Sequence, residues 1–343
     1  MSALRTLLVG AGRAGANHAL HLSQHVPAAY VVGVVDADEE RARRVAESVG
    51  GVTVHDTLEA AIERAEFDAV VIATPTFTHC ELAVAAASAG KHVFCEKPMA
   101  ITEQQCDEMA EAATRAGVVL QIGFMRRFQP EFAEARRAIE AGDIGDPMVI
   151  KSLTRGPGLP PPWAWDLKRS NGMLAELNSH DFDSVRWLMG SDITRVYAEA
   201  ANLKGADRGV DVEDFYDNAV VTLRFGSGAI GTIDGTCPAD YGYDARVEVV
   251  GTSGLLQIGE VRGQALLMVQ DREVGAVSPV HRTWPERFEQ GYRAQMRAFV
   301  DAVLSGGAPL VTAADGRAAV QAVRAANRSW QETRPIALDE VAA

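Results

Sequence analysis

The sequence predicts an α/β protein of two domains: residues 1–124 as a parallel sheet covered by helices, and residues 125–343 as an α+β domain whose C-terminal helices either stay with it or pack back on the first. Three observations predict it. The chain has 343 residues, more than one hydrophobic core usually organises. Its first third alternates short, uniformly apolar runs with alanine-rich helical patterns, as expected for strands buried on both faces. After the segment "EFAEARRAIEAG" the rhythm changes to longer β-rich runs separated by Gly and Ser turns.

In chain order, the predicted strands of the first domain are Leu4 to Val9, Tyr30 to Val35, Ala69 to Ala73, His92 to Cys95 and Val118 to Ile122. The first runs into "VGAGRAGANH", where Gly10, Gly12 and Gly15, with Arg13 and Ala14 between the last two, match Gly-x-Gly-x-x-Gly at a strand-to-helix turn. The first glycine permits the tight turn, the second lets a pyrophosphate approach the backbone, and the third allows close helix-to-strand packing. This is the Rossmann dinucleotide-binding pattern. The second strand ends at Asp36, 21 positions after Gly15, where an acidic side chain accepts from the adenine ribose hydroxyls and repels a 2′-phosphate. NAD is therefore expected in preference to NADP. The following "DEERARR" reads as the solvated face of a helix. "HCELAVAAASAG" and "TEQQCDEMAEAATRAG" are helical patterns closed by glycines suited to a left-handed cap, and Thr102 with Gln105 forms a capping-box pattern.

Two further strand ends carry polar groups. "ATPTFTH" places the backbone and hydroxyls of Ala73, Thr74, Pro75 and Thr76 toward the nicotinamide side of the cofactor, because ligands in such sheets bind beyond the carboxyl ends of the strands. His79 has two readings, a ligand contact or a first-turn helix residue. In "HVFCEKP" a buried run ends in Glu96 and Lys97, charges that are costly to desolvate unless paired or in use. Lys97 on the crevice rim can hydrogen-bond a substrate hydroxyl, and Glu96 pairs either with it or with the cofactor ribose.

Composition excludes several classes. With 33 basic against 46 acidic residues and a pI near 5.1, the average field repels phosphate backbones and anionic membranes. No apolar run approaches a membrane span, and "MSALRTLLVGAG" is too short in its apolar stretch for a signal peptide. Cys80, Cys95, Cys106 and Cys237 lie far apart with no Cys-x-x-Cys, which argues against a metal site or a disulfide framework and fits a reducing cytoplasm.

The second domain's predicted β-rich segments are "PMVIKSLTR", "ITRVYAEAANLK", "NAVVTLRF", "GAIGTIDGTC" and "ARVEVVGTSGLLQIG", followed by helical patterns at Arg287 to Leu304 and Thr312 to Trp330. "AELNSHDFDSVRWL" fits one amphipathic helix, with Glu176 and His180 four apart and so on one face, where a carboxylate can orient an imidazole.

The stretches "GAGRAGANH", "ATPTFTH", "GKHVFCEKP", "GFMRRFQP" and "NGMLAELNSHDFDSVRWLMG" resemble the glucose-fructose oxidoreductase / inositol dehydrogenase family, Gfo/Idh/MocA. "GFMRRF" together with "YGYD" at Tyr241 to Asp244 is most similar to its inositol dehydrogenase branch. The resemblance implies a second domain with a large open, mostly antiparallel sheet whose exposed face builds a homodimer or homotetramer. It also implies that His180 is the base taking the hydroxyl proton, and that Arg127 and Tyr241 contact substrate, with Arg126 and Tyr243 equally open to a structural reading. Two departures stand out. Glu176 replaces the family's common Asp, and "TRGPGLPPPWAWDLKRS" replaces a loop that tends to carry polar substrate ligands. In that loop Trp163 and Trp165 either stack on the apolar face of a ring or pack the loop itself.

The expected function is an NAD-dependent dehydrogenase of a cyclic polyol, an inositol-like cyclitol or a pyranose sugar, with Lys97, Glu176 and His180 as its catalytic set. Two other classes use the same parts: a glycoside hydrolase working by transient oxidation, and a non-catalytic NAD-sensing protein. Retention of both Lys97 and His180 argues against the sensor.

Overall fold

The computed structural model describes residues 3–210, 212–259, 281 and 283–341. The chain divides into two compact units, Met1–Phe128 with Gln290–Ala318, and Gln129–Glu289 with Ala319–Ala343.

In the first unit β1 (Leu4–Val9), α1 (Arg13–His25), β2 (Ala29–Val35), α2 (Glu39–Ser48), β3 (Thr53–His55), α3 (Leu58–Arg64), β4 (Ala69–Ile72), α4 (His79–Ser88), β5 (His92–Cys95), α5 (Glu103–Ala116) and β6 (Leu120–Ile122) alternate as the apolar runs require. The six strands form one parallel sheet in the order β3-β2-β1-β4-β5-β6, the doubly wound arrangement. Thr53–His55 was not among the expected strands. Three residues with a polar end give no apolar run to read, and pairing with Gly33–Val35 supplies what the local sequence lacks. The capping box of Thr102 and Gln105 is present, and Gly117 closes α5 at φ 66°.

The register of this sheet places the site. Val35, Val9, Ile72, Cys95 and Ile122 pair in one line across the strands. The residues that follow them, Asp36, Gly10, Ala73, Glu96 and Gly123, therefore form a row along the carboxyl rim. The ladder continues one bond into the row: the N–H groups of Gly10, Ala73, Glu96 and Gly123 donate to Val35, Val9, Ile72 and Cys95 respectively. Beneath the row Leu8, Val34, Val71 and Phe94 are buried with Ala19 and Leu22 of α1 and with Met296, Phe299 and Val300 of α10 (Trp284–Ser305).

The second unit contains α6 (Pro130–Ala141), β7 (Pro147–Arg155), α7 (Leu167–Ser170), α8 (Gly172–Glu176), α9 (Ser179–Met189), β8 (Ile193–Ala201), β9 (Asn218–Phe225), β10 (Ile230–Thr236), β11 (Asp244–Gly251) and β12 (Leu255–Ile258). The latter part of α11 (Ala313–Glu332) and β13 (Ile336–Ala337) complete it. Its seven strands run β12-β11-β7-β10-β9-β8-β13, antiparallel except for the β7–β10 pair. Burial alternates along β9, β10 and β11, with Val221, Leu223, Ile233, Val247 and Val249 inward. That is the period-two pattern of a sheet with one covered face. On the other face Val220, Ile230 and Leu255 are exposed among charged side chains.

Candidate active site

The glycines behave as the dinucleotide pattern demands. Gly10 has φ 97°, and a Cβ there would lie 2.5 Å from the Ala73 carbonyl oxygen. At Gly15 a Cβ would come within 1.8 Å of the Gly10 oxygen, so helix and loop meet backbone to backbone. At Gly12 the same test meets nothing within 4 Å, and no side chain caps α1. This open, amide-rich helix start fits a pyrophosphate. Arg13 beside it is exposed.

Asp36 projects from the end of β2 over this turn. Its Oδ2 accepts from the Ala11 N–H at 2.6 Å and its Oδ1 from the Asp38 N–H at 2.8 Å, with Arg41 at 3.8 Å. A carboxylate has about four acceptor positions, so ribose hydroxyls can still be received. The residues present thus fit NAD, and the fixed negative charge opposes a 2′-phosphate.

Along the rim, the Thr78 and Thr74 hydroxyls bond at 2.7 Å in the turn after β4, with Thr76 buried. His79 is fully buried, its Nδ1 2.8 Å from the Pro98 oxygen and its Nε2 2.9 Å from the Thr74 oxygen. Burial pushes its pKa down against the opposing pull of those two carbonyls. Both ring nitrogens thus face carbonyl oxygens, one in the turn after β4 and one in the turn after β5, and a neutral ring donates to one of the two at a time. Glu96 is also buried. Its Oε1 meets His18 Nε2 at 2.6 Å and its Oε2 accepts the Lys97 N–H at 3.1 Å. Burial raises the Glu96 carboxyl, but the His18 hydrogen bond, the charges of His18 and Lys97 and the Lys97 N–H outweigh it, so the net direction is down. His18 as the partner of Glu96 is not legible in the motif spacing, because the two lie 78 positions apart.

In the second unit the single helix expected over "AELNSHDFDSVRWL" is two. Glu176 is the last residue of α8, and α9 begins at Ser179, with Leu177 and Asn178 between them. The break is local chemistry. The Asn178 side chain, fully buried, donates to Asp181 Oδ2 at 2.8 Å, while the Asn178 backbone carbonyl opens α9 by accepting from the N–H groups of Asp181 and Phe182. Ser152 of β7 donates to the other oxygen of Asp181 at 2.5 Å. Gly235 of β10 leaves the space, since a Cβ there would lie 2.2 Å from Asn178 Oδ1. The stacking of positions four apart on a continuous helix therefore does not relate Glu176 to His180. His180 is buried in the first turn of α9, and Glu176 is half-buried.

The other expected substrate contacts are Arg127, Tyr241, Trp163 and Trp165, and each has a definite place in its own unit. Arg127, in the 3₁₀ turn Met125–Phe128, pairs with Asp315 at 2.9 Å, both nearly buried. Tyr241 donates to Asp244 at 3.0 Å and accepts from Arg155 at 3.5 Å, part of a polar cluster with Asp234. Trp165 donates to the Pro160 carbonyl and sets its ring edge-on to Phe215, and Trp163 is half-buried in the same loop. Among the described residues there is no cluster of metal-ligating side chains and no helix long and apolar enough to cross a membrane.

Comparison with known proteins supplies the rest. The sequence profile of an oxidoreductase family with an NAD-binding Rossmann fold matches residues 4–124, and that of the GFO/IDH/MocA C-terminal domain matches residues 132–257. The chain is 36% identical to the myo-inositol 2-dehydrogenase of Thermotoga maritima, over 98% of this chain and 99% of that one. It is 34% identical to the scyllo-inositol 2-dehydrogenase (NAD(+)) of Bacillus subtilis, over 98% and 96% respectively. A crystal structure of a probable dehydrogenase from Thermotoga maritima superposes with a TM-score of 0.87 at 36% identity, covering 98% of this chain and all of the other.

Proposed function

From the premise that the chain belongs to the GFO/IDH/MocA oxidoreductase family, we propose that it is an NAD-dependent dehydrogenase oxidising one secondary hydroxyl of an inositol-like cyclitol to the ketone. The observation that carries the reading is the in-register row Asp36, Gly10, Ala73 and Glu96, which sets the dinucleotide turn and Lys97 on one rim. The relatives that share nearly the whole length act on inositols, which favours a cyclitol over a pyranose sugar and a dehydrogenase over a hydrolase with a transient oxidation step.

NAD, when bound, accepts the hydride of the carbinol carbon. Gly10, Gly12, Arg13, Ala14 and Gly15 hold its pyrophosphate, Asp36 its adenine ribose, and the turn from Ala73 to Thr76 lies toward its nicotinamide side. Lys97 donates a hydrogen bond to the reacting oxygen, stabilising the negative charge that develops there. His180 accepts the hydroxyl proton, and Glu176 receives a neighbouring substrate hydroxyl. The four cysteines are free, which suits a reducing compartment such as the cytoplasm. The exposed sheet face of the second unit joins copies into a homo-oligomer.

The test is NADH formation across a panel of myo-inositol, scyllo-inositol and pyranose sugars. Steady NADH accumulation with a cyclitol is expected, Lys97→Ala lowering turnover by orders of magnitude while NADH still binds. His180→Ala should abolish the rise of activity with pH that a neutral imidazole base confers. Near-normal turnover in folded Lys97→Ala would remove the mechanism.

A further inference from the structure

We propose that His18 is a positioning residue for Lys97, acting through Glu96. The inference rests on the reading of Lys97 as the substrate-holding lysine and assigns how that lysine is fixed.

Glu96 sits where the β5 ladder ends. Its own N–H makes the last bond, to Ile72, and the next N–H, that of Lys97, goes to the Glu96 carboxylate. The position of the Lys97 backbone therefore depends on where that carboxylate points. Three features fix it. Its second oxygen meets His18 Nε2 at 2.6 Å, and the His18 side chain is wholly buried. Gly123, the next residue in the rim row, presents no side chain, and a Cβ there would stand 3.1 Å from the carboxylate carbon, so backbone walls that side. The imidazole is itself seated between the Phe94 and Tyr292 rings, at 5.2 and 5.7 Å between centroids.

The two oxygens of Glu96 thus have separate tasks, one anchored and one presenting. A carboxylate only accepts, so the proton in the short contact belongs to His18 Nε2, while Nδ1 finds no hydrogen-bond partner among the described residues. His18 also lies in the first helix turns after the dinucleotide glycines, so one helix both meets the cofactor and sets the strand end that carries Lys97.

The discriminating variants are His18→Gln and His18→Asn. The glutamine amide nitrogen reaches the position of imidazole Nε2; that of asparagine reaches only the position of Nδ1. With NAD and the best cyclitol of the panel, His18→Asn should lower kcat by about tenfold or more, with the KM for NAD changed by less than about threefold. His18→Gln should recover most of that loss. Glu96→Gln combined with His18→Asn should cost less than the sum of the two single effects, since both remove one interaction. In the cofactor-free protein, ¹⁵N spectra of the His18 ring should show the proton on Nε2. Equal losses in the Gln and Asn variants, a loss confined to NAD affinity, or an Nε2 that carries no proton would overturn the assignment. Those results with an inactive Lys97→Ala variant leave the dehydrogenase reading standing, whereas an active Lys97→Ala variant removes the reading itself.

Discussion

Asp36 shows how a single side chain sets cofactor choice through its surroundings. Its oxygens are anchored by the amides of Ala11 and Asp38, so the charge cannot swing away from an incoming 2′-phosphate. Catalytic efficiency should favour NAD over NADP by roughly tenfold or more. Asp36→Ser with Ala37→Arg should reverse the ratio, and steady-state kinetics with both cofactors checks it. Equal efficiencies in the parent enzyme would sink the argument. The glycines and Asp36 were legible because their meaning is local: spacing after a strand fixes their geometry. Glu96, Arg127 and His79 were not, because their partners His18, Asp315 and Pro98 arrive by folding. For Glu96 in particular the sequence left Lys97 and the cofactor ribose open as partners, and the structure adds His18 beside the Lys97 N–H.

Among the elements, α1 carries a buried cost. His21 is only 3% exposed, with no hydrogen-bond partner for either ring nitrogen among the described residues. Burial, then the positive charges of His18, Arg293 and His25, push its pKa down to about 4. The unfolded chain therefore takes up a proton that the folded one refuses as pH falls from 6.5. The stability is fully present above 6.5 and is lost toward pH 4, by up to about 3 kcal/mol. His21→Leu should flatten this slope and raise the Tm more at pH 5 than at pH 8. An unchanged pH dependence of Tm would refute it.

The break between α8 and α9 gives a second element-scale expectation. Gly235→Ala should displace Asn178, destabilise the protein by roughly 1–3 kcal/mol and change cyclitol kinetics through the first turn of α9 while NADH binding persists. Calorimetry with both binding assays would show it. Strands as long as β7 and β9 were readable to the residue, since eight or nine positions of alternation are unambiguous. The two-residue β13 and the α8–α9 break were not: the first is too short to carry a period, and the second depends on a buried Asn178 that reads as one more polar helix position.

For the molecule as a whole, the open face of the seven-stranded sheet exposes Val220, Ile230 and Leu255 at 53%, 45% and 50%. If copies join there, Ile230→Glu should shift sedimentation toward smaller species with the monomer fold intact by circular dichroism. An unchanged sedimentation coefficient would place the interface elsewhere. The division of the chain carries another consequence. The core around Leu8 and Phe94 is closed by Met296, Phe299 and Val300, residues the ribosome delivers long after Phe128. At typical rates of synthesis that interval is roughly ten to thirty seconds. Throughout it, the nascent N-terminal segment must wait with part of its apolar surface uncovered. Stalled chains ending before residue 290 should accordingly be protease-sensitive and chaperone-bound, and those extended past α10 protected.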